Sequence, residues 1–190
     1  MQESKKQEAY RCLVIITDSH IRERLCEFLA DSHIPVYYQM HGIGTASSEW
    51  LELCGLGSIQ KSITLCFIPN GRKKILLAEM NQALSLHKKG TGIAVSIPMN
   101  GMQGFLYKLL NEHTAESDKE DAEKEVKKMS DTITHAMILV TINQGYSDAV
   151  MNTARAAGAT GGTILKGLRC SPGQSAVIFG ITIQEEQEIV

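Results

Sequence analysis

The chain has 190 residues, 43% of them apolar and 21% charged, which is the composition of a folded protein and excludes a wholly disordered chain. A formal net charge of −2 at pH 7 supplies no basic field, so we expect no nucleic-acid partner. No apolar run approaches the roughly 20 residues of a membrane helix, and the polar amino terminus lacks the apolar region of a secretory signal, so we expect a cytoplasmic protein.

The first half of the chain alternates extended and helical patterns in the order βαββαβ. Apolar residues recur at helical spacing from Ile21 to Leu29 and again from Lys73 to Leu86. Short βαβ connections and the right-handed crossover rule predict an α+β fold of the ferredoxin-like type, a four-stranded antiparallel sheet with both helices on one face. The predicted strands are residues 13–17, 37–40, 63–68 and 94–97.

An acidic segment follows at residues 112–131 (EHTAESDKEDAEKEVKKMSD). It has few large apolar residues and twice as many acids as lysines, so it cannot contribute to a core. We predict a solvated linker between a first unit at 10–111 and a second at 132–190.

The second unit repeats the pattern of the first. A gapless alignment that places Val14 on Leu139 also places Met40 on Leu165 and Gly42 on Gly167. It predicts strands at 138–142 and 163–165, with a helix between them. The repeat stops before any equivalent of residues 65–99. We therefore expect either that the natural protein is longer or that a neighbouring copy or subunit fills the gap, and that residues 177–183 pair with another strand.

Several strings resemble the PII family of nitrogen-regulatory signalling proteins. In the second copy these are NQGYSDAVMNTAR and AGATGGTILKGLR; in the first they are GIGTASSEWLELCGLGSIQKSITLCFIP and LHKKGTGIAVSIP. The resemblance implies a homotrimer that binds an effector such as ATP, ADP or AMP in clefts between subunits, with no required cofactor. It also implies a mobile loop that contacts a target protein, such as a membrane transporter or an enzyme.

The resemblance also marks candidate nucleotide-binding residues. Glycines at strand ends let backbone N–H groups approach phosphate oxygens, and nearby cations supply charge, although glycines between strands more often form turns. Thr160 matches the PII threonine on the adenine side. The full candidate set is Gly42, Gly44, Gly90, Gly92, Thr160, Lys166, Gly167 and Arg169.

The loop between the second and third strands carries Trp50, Leu51 and Leu53. Exposed bulky apolar residues often mark a partner surface, so this is the candidate partner loop. A short helical turn folded back on the sheet is an equal alternative.

Motifs for catalysis and metal binding are not found in the sequence. It has no GxSxG, HExxH or P-loop string, its six histidines show no metal-ligand spacing, and its five scattered cysteines form no CxxC pair. We expect a non-enzymatic protein with reduced thiols and no metal. The alternative is a ferredoxin-like structural or metal-tolerance trimer that binds no nucleotide.

Overall fold

The computed structural model describes residues 9–44, 60–88, 91–112, 137–171, 177–178, 181–182 and 185–190. Within these residues the chain is of the α+β class, with a seven-stranded antiparallel sheet, a separate two-stranded hairpin and four α-helices.

The first half of the chain forms four of the seven sheet strands, in the order β4-β1-β3-β2. All neighbouring pairs are antiparallel. Two helices connect them. The elements are β1 (Tyr10–Asp18), α1 (Arg22–Asp31), β2 (Tyr37–Ile43), β3 (Gln60–Pro69), α2 (Lys73–Leu84) and β4 (Gly92–Pro98).

Helices α1 and α2 cover one face of this half of the sheet. The residues of α1 and α2 that point inward are Leu25, Leu29, Leu76, Met80 and Leu84, at the helical spacing that the sequence shows. They pack on strand residues of the same face, which include Leu13, Ile15, Cys66 and Ile68.

A third helix, α3 (Gly104–Glu112), packs against the opposite face of the sheet. Its Leu109 and Leu110 are buried among strand residues that include Tyr38 and Phe67. The Tyr10 hydroxyl also donates a hydrogen bond to Asn111 Oδ1 at 2.8 Å. The sequence pattern did not predict this helix, which gives the sheet a second core.

The second half of the chain adds three strands to the same sheet. The elements are β5 (Thr141–Asn143), α4 (Ser147–Ala156), β6 (Leu165–Cys170), β7 (Val177–Ile178), β8 (Ile181–Thr182) and β9 (Glu186–Ile189). Strand β9 lies between β6 and β5, whereas β7 and β8 pair only with each other among the described strands.

The two halves meet where β6 pairs antiparallel with β2. The register runs from Tyr37 opposite Cys170 to Met40 opposite Gly167. The full order of the sheet is therefore β4-β1-β3-β2-β6-β9-β5. Strands from both sides of the predicted linker thus belong to one sheet.

The four strands predicted in the first half are confirmed, and both of its predicted helices are present. In the second half the prediction of a strand at 163–165 was wrong, because β6 begins only at Leu165. The predicted strand at 138–142 overlaps β5 only at its end, and Ile138 is 82% exposed. Residues 177–183 were expected to pair with another strand, but among the described strands β7 and β8, both within this range, pair only with each other. Residues 113–131 of the predicted linker lie outside the described part of the chain. The predicted trimer is not tested by the structure of a single chain.

Candidate functional site

A cavity of about 470 Å³ lies on the sheet face that α3 covers. Its walls come from α3, from the start of α4 and from strands β2, β5, β6 and β9. Because these elements are distant in the sequence, the cavity exists only where the two halves of the chain share one sheet. Its volume is within the usual range for small-molecule sites.

Four polar residues of the cavity lie on one face of four neighbouring strands. Tyr38 on β2 lies opposite Arg169 on β6, and Asn143 on β5 lies opposite Gln187 on β9. Gln187 is also opposite Gly167, two residues before Arg169. Since alternate residues of a strand share a face, all four side chains project to the same side.

Arg169 supplies the positive charge of the cavity. Its side chain is only 7% exposed, and its Nη1 donates a hydrogen bond to Ser171 Oγ at 2.9 Å. Its backbone N–H donates to the Glu185 carbonyl at 2.7 Å, which holds the end of β6 in place. Among the described residues that line the cavity, none is Asp, Glu or Lys.

Two side-chain hydrogen bonds fix the other polar groups. The Tyr38 hydroxyl donates to Thr141 Oγ1 at 3.3 Å, and Gln187 Nε2 donates to Asn143 Oδ1 at 2.9 Å. Burial raises the pKa of Tyr38, and the hydrogen bond to Thr141 and the Arg169 charge offset this only in part. Tyr38 is therefore a neutral phenol at pH 7, beside a guanidinium. The guanidinium can hold an anion, and the Tyr38 hydroxyl would join it by exchanging its hydrogen bond to Thr141.

The N-terminus of α4, beside the cavity, already holds a carboxylate. The Ser147 N–H donates to Glu188 Oε2 at 3.1 Å. Burial alone would raise the pKa of Glu188, but hydrogen bonds from Ser147 and from the Gly145 backbone outweigh it, so the pKa is lowered. An intramolecular carboxylate thus takes the place that a ligand anion occupies at many helix N-termini.

The structure places the candidate glycines of the first half at one end of the sheet. Gly42 pairs with Lys61 on β3, and Gly92 pairs with Thr17 on β1. Strands β3 and β1 separate them, so at roughly 4.8 Å per strand they are ~14 Å apart. Gly44 directly follows β2. Gly42 and Gly92 therefore cannot contact one phosphate group within a single chain.

Close packing accounts for two of the candidate glycines, Gly92 and Gly167. A Cβ on Gly92, whose φ is +150°, would lie 2.4 Å from the Ile16 carbonyl oxygen. A Cβ on Gly167 would lie 2.6 Å from the Gln39 carbonyl oxygen, where β6 meets β2. Both positions therefore require glycine whether or not a ligand binds.

The remaining candidates of the second half are dispersed. Lys166 is exposed and lies opposite Glu188, on the other sheet face from Arg169. Thr160 is exposed between α4 and β6. Of the predicted residues that the structure describes, only Arg169 lines the cavity. Four predicted residues lie outside the described ones: Gly90, Trp50, Leu51 and Leu53.

The sequence did not single out Tyr38, Asn143 or Gln187. No linear motif links them, since each comes from a different strand and three successive strand pairings, β2–β6, β6–β9 and β9–β5, bring them together.

No protein-family model matches the chain, and no curated protein matches it. Among solved structures, a Bacillus cereus protein related to NIF3 is similar, with 11% sequence identity and a TM-score of 0.38. The match covers 82% of this chain and 45% of that one, so the chain spans less than half of that protein. The described residues include no helix able to cross a membrane and no group of three or more metal-ligand side chains.

Proposed function

We propose that the chain is a PII-like, non-enzymatic regulatory protein that binds a small anionic effector, an adenine nucleotide or a similar molecule. It would control a partner protein through the loop between β2 and β3. The observation that carries the proposal is the buried Arg169 in a cavity of about 470 Å³ whose described lining has no acidic residue.

The strand order supports a duplicated ferredoxin-like fold. On one side of the β2–β6 junction the order outward is β2-β3-β1-β4, and on the other it is β6-β9-β5. The chain passes through β1, α1, β2 and β3 in the first half, and through β5, α4, β6 and β9 in the second. Each half thus repeats one βαββ path, and the second has no described equivalent of α2 and β4.

The chemistry of the lining supports binding rather than catalysis. Its described titratable groups are Tyr38, Tyr146 and Arg169. A phenol whose pKa is raised by burial is a poor general base at neutral pH, and a guanidinium does not release its proton. The guanidinium is well suited to hold an anion in place.

Thermal unfolding with an effector panel tests the proposal. We would measure the Tm with ATP, ADP, AMP, a cyclic nucleotide and small carboxylates, for the wild type and for Arg169→Gln. The matched control is Arg155→Gln, because Arg155 is exposed on α4 and does not line the cavity.

We expect at least one anion to raise the Tm of the wild type and of Arg155→Gln, but not that of Arg169→Gln. A ligand at 100 times its Kd stabilises the native state by about 2.7 kcal/mol, which is readily measured. If no compound shifts the Tm, the structural or metal-tolerance scaffold replaces the proposal. If a compound raises the Tm of Arg169→Gln as much as that of the wild type, the compound binds outside the cavity.

A further inference from the structure

We propose that the cavity takes a monocarboxylate with a compact apolar body rather than a nucleotide polyphosphate. This rests on the proposed function, since it names the class of effector that the same site binds.

Charge limits the anion to one carboxylate-sized group. A triphosphate needs several cations, a glycine-rich backbone nest or a helix N-terminus to balance its charge. The described lining has one cation, Arg169, and no glycine. Two helices begin at the cavity, and the N-terminus of one of them, α4, already binds the Glu188 carboxylate. A polyphosphate would therefore place most of its charge against neutral walls.

The shape of the polar part favours a carboxylate. A guanidinium is planar and matches the two oxygens of a carboxylate in bidentate geometry. Tyr38 is opposite Arg169 across the β2–β6 pair, and its hydroxyl would exchange its hydrogen bond to Thr141 for one to the carboxylate. One carboxylate can thus contact two strands at the junction of the two halves.

The remaining walls are mostly apolar, with Gln103, Thr141 and Tyr146 as the polar exceptions, and suit a small hydrocarbon or aromatic body. They include Val36, Phe105, Leu106 and Leu109 on one side and Val150 on the other. Removing apolar ligand surface from water against such walls is favourable in proportion to area. The amides of Asn143 and Gln187 bond to each other, so they do not require a polar ligand.

Isothermal titration calorimetry with 3-phenylpropanoate, hexanoate, 3-phenylpropanamide, AMP and ATP tests the inference on the full chain. We expect the carboxylates to bind the wild type and Arg155→Gln. The neutral amide should bind at least tenfold more weakly than the acid of the same shape. Arg169→Gln should weaken carboxylate binding at least tenfold, and Arg169→Lys, which keeps the charge without the planar fork, should fall between.

The comparison of acid and amide uses only wild-type protein, so it holds even if Arg169→Gln fails to fold. Tighter binding of AMP or ATP than of the carboxylates, lost in Arg169→Lys, would overturn this inference and leave the proposed function standing. Equal binding of acid and amide would overturn the role of Arg169 as the anion site. Binding of no compound from either class would overturn both proposals.

Discussion

Replacement of Gly167 by alanine tests the junction between the two halves of the chain. The added Cβ would lie 2.6 Å from the Gln39 carbonyl oxygen and 2.7 Å from Met40 Cγ. The first of these atoms is backbone, so β6 must move away from β2 rather than a side chain rotate. Overpacking of this kind costs about 1–3 kcal/mol, and we expect Gly167→Ala to lower the free energy of unfolding by that amount.

The control is Gly161→Ala, because a Cβ there meets no atom within 4 Å and its φ is not positive. That variant should be unchanged or up to about 1 kcal/mol more stable, since alanine lowers the entropy of the unfolded chain. Urea denaturation of both variants gives the comparison. If Gly167→Ala is as stable as Gly161→Ala, β6 does not pack against β2 as described.

Other substitutions test the cores and the buried ionisable groups. Met80→Ala should cost about 2–5 kcal/mol in urea denaturation, because Met80 is fully buried, whereas Glu79→Ala on the exposed side of α2 should cost little. The pKa of Glu188 is lowered in the folded state, so its ionised form stabilises the fold above the unfolded pKa near 4.5, and this stabilisation is lost as pH falls through the folded pKa. The loss of unfolding free energy in Glu188→Gln should therefore be full at pH 7 and shrink below about pH 4.5. Burial raises the pKa of Cys12 to about 11 and that of Cys66 further, so neither thiol should react with a disulfide reagent at pH 8 until the protein unfolds. Rapid labelling of either thiol in the native protein would contradict this burial.

The strands of the first half were predictable because their own residues specify them. The stretch from Leu13 to Thr17 and that from Ile63 to Ile68 are rich in β-branched and large apolar side chains, and both lie in the centre of the sheet. Helices α1 and α2 show apolar residues at helical spacing and bury that same face. Local pattern and tertiary position agree in these elements.

Strand β6 was misplaced because tertiary pairing decides its bounds. The string GGTIL contains the β-branched residues, yet Thr163 and Ile164 are exposed outside the strand. The stretch from Leu165 to Cys170 is extended because it pairs with β2 on one side and β9 on the other. Neither partner is visible from the local sequence.

The cavity could be predicted only through one residue. Arg169 was identified through the PII resemblance, but Lys166 in the same string lies on the other face of the sheet, because residues alternate between faces along β6. Gly167 shares the face of Arg169 but is packed against the Gln39 carbonyl oxygen of β2. Tyr38, Thr141 and Gln187 reach the cavity from three other strands. Long-range pairing of this kind leaves no motif.

Hydrogen–deuterium exchange with a bound effector tests the location of the site most directly. With a saturating ligand that raises the Tm, slowed exchange should be concentrated in α3, in β5 and the start of α4, and in β6, all of which line the cavity. Residues 41–44 and 91–93, at the strand ends that carry Gly42 and Gly92, should exchange as in the free protein. Protection confined to those strand ends, with α3 and β5 unchanged, would contradict the assignment of the cavity as the effector site.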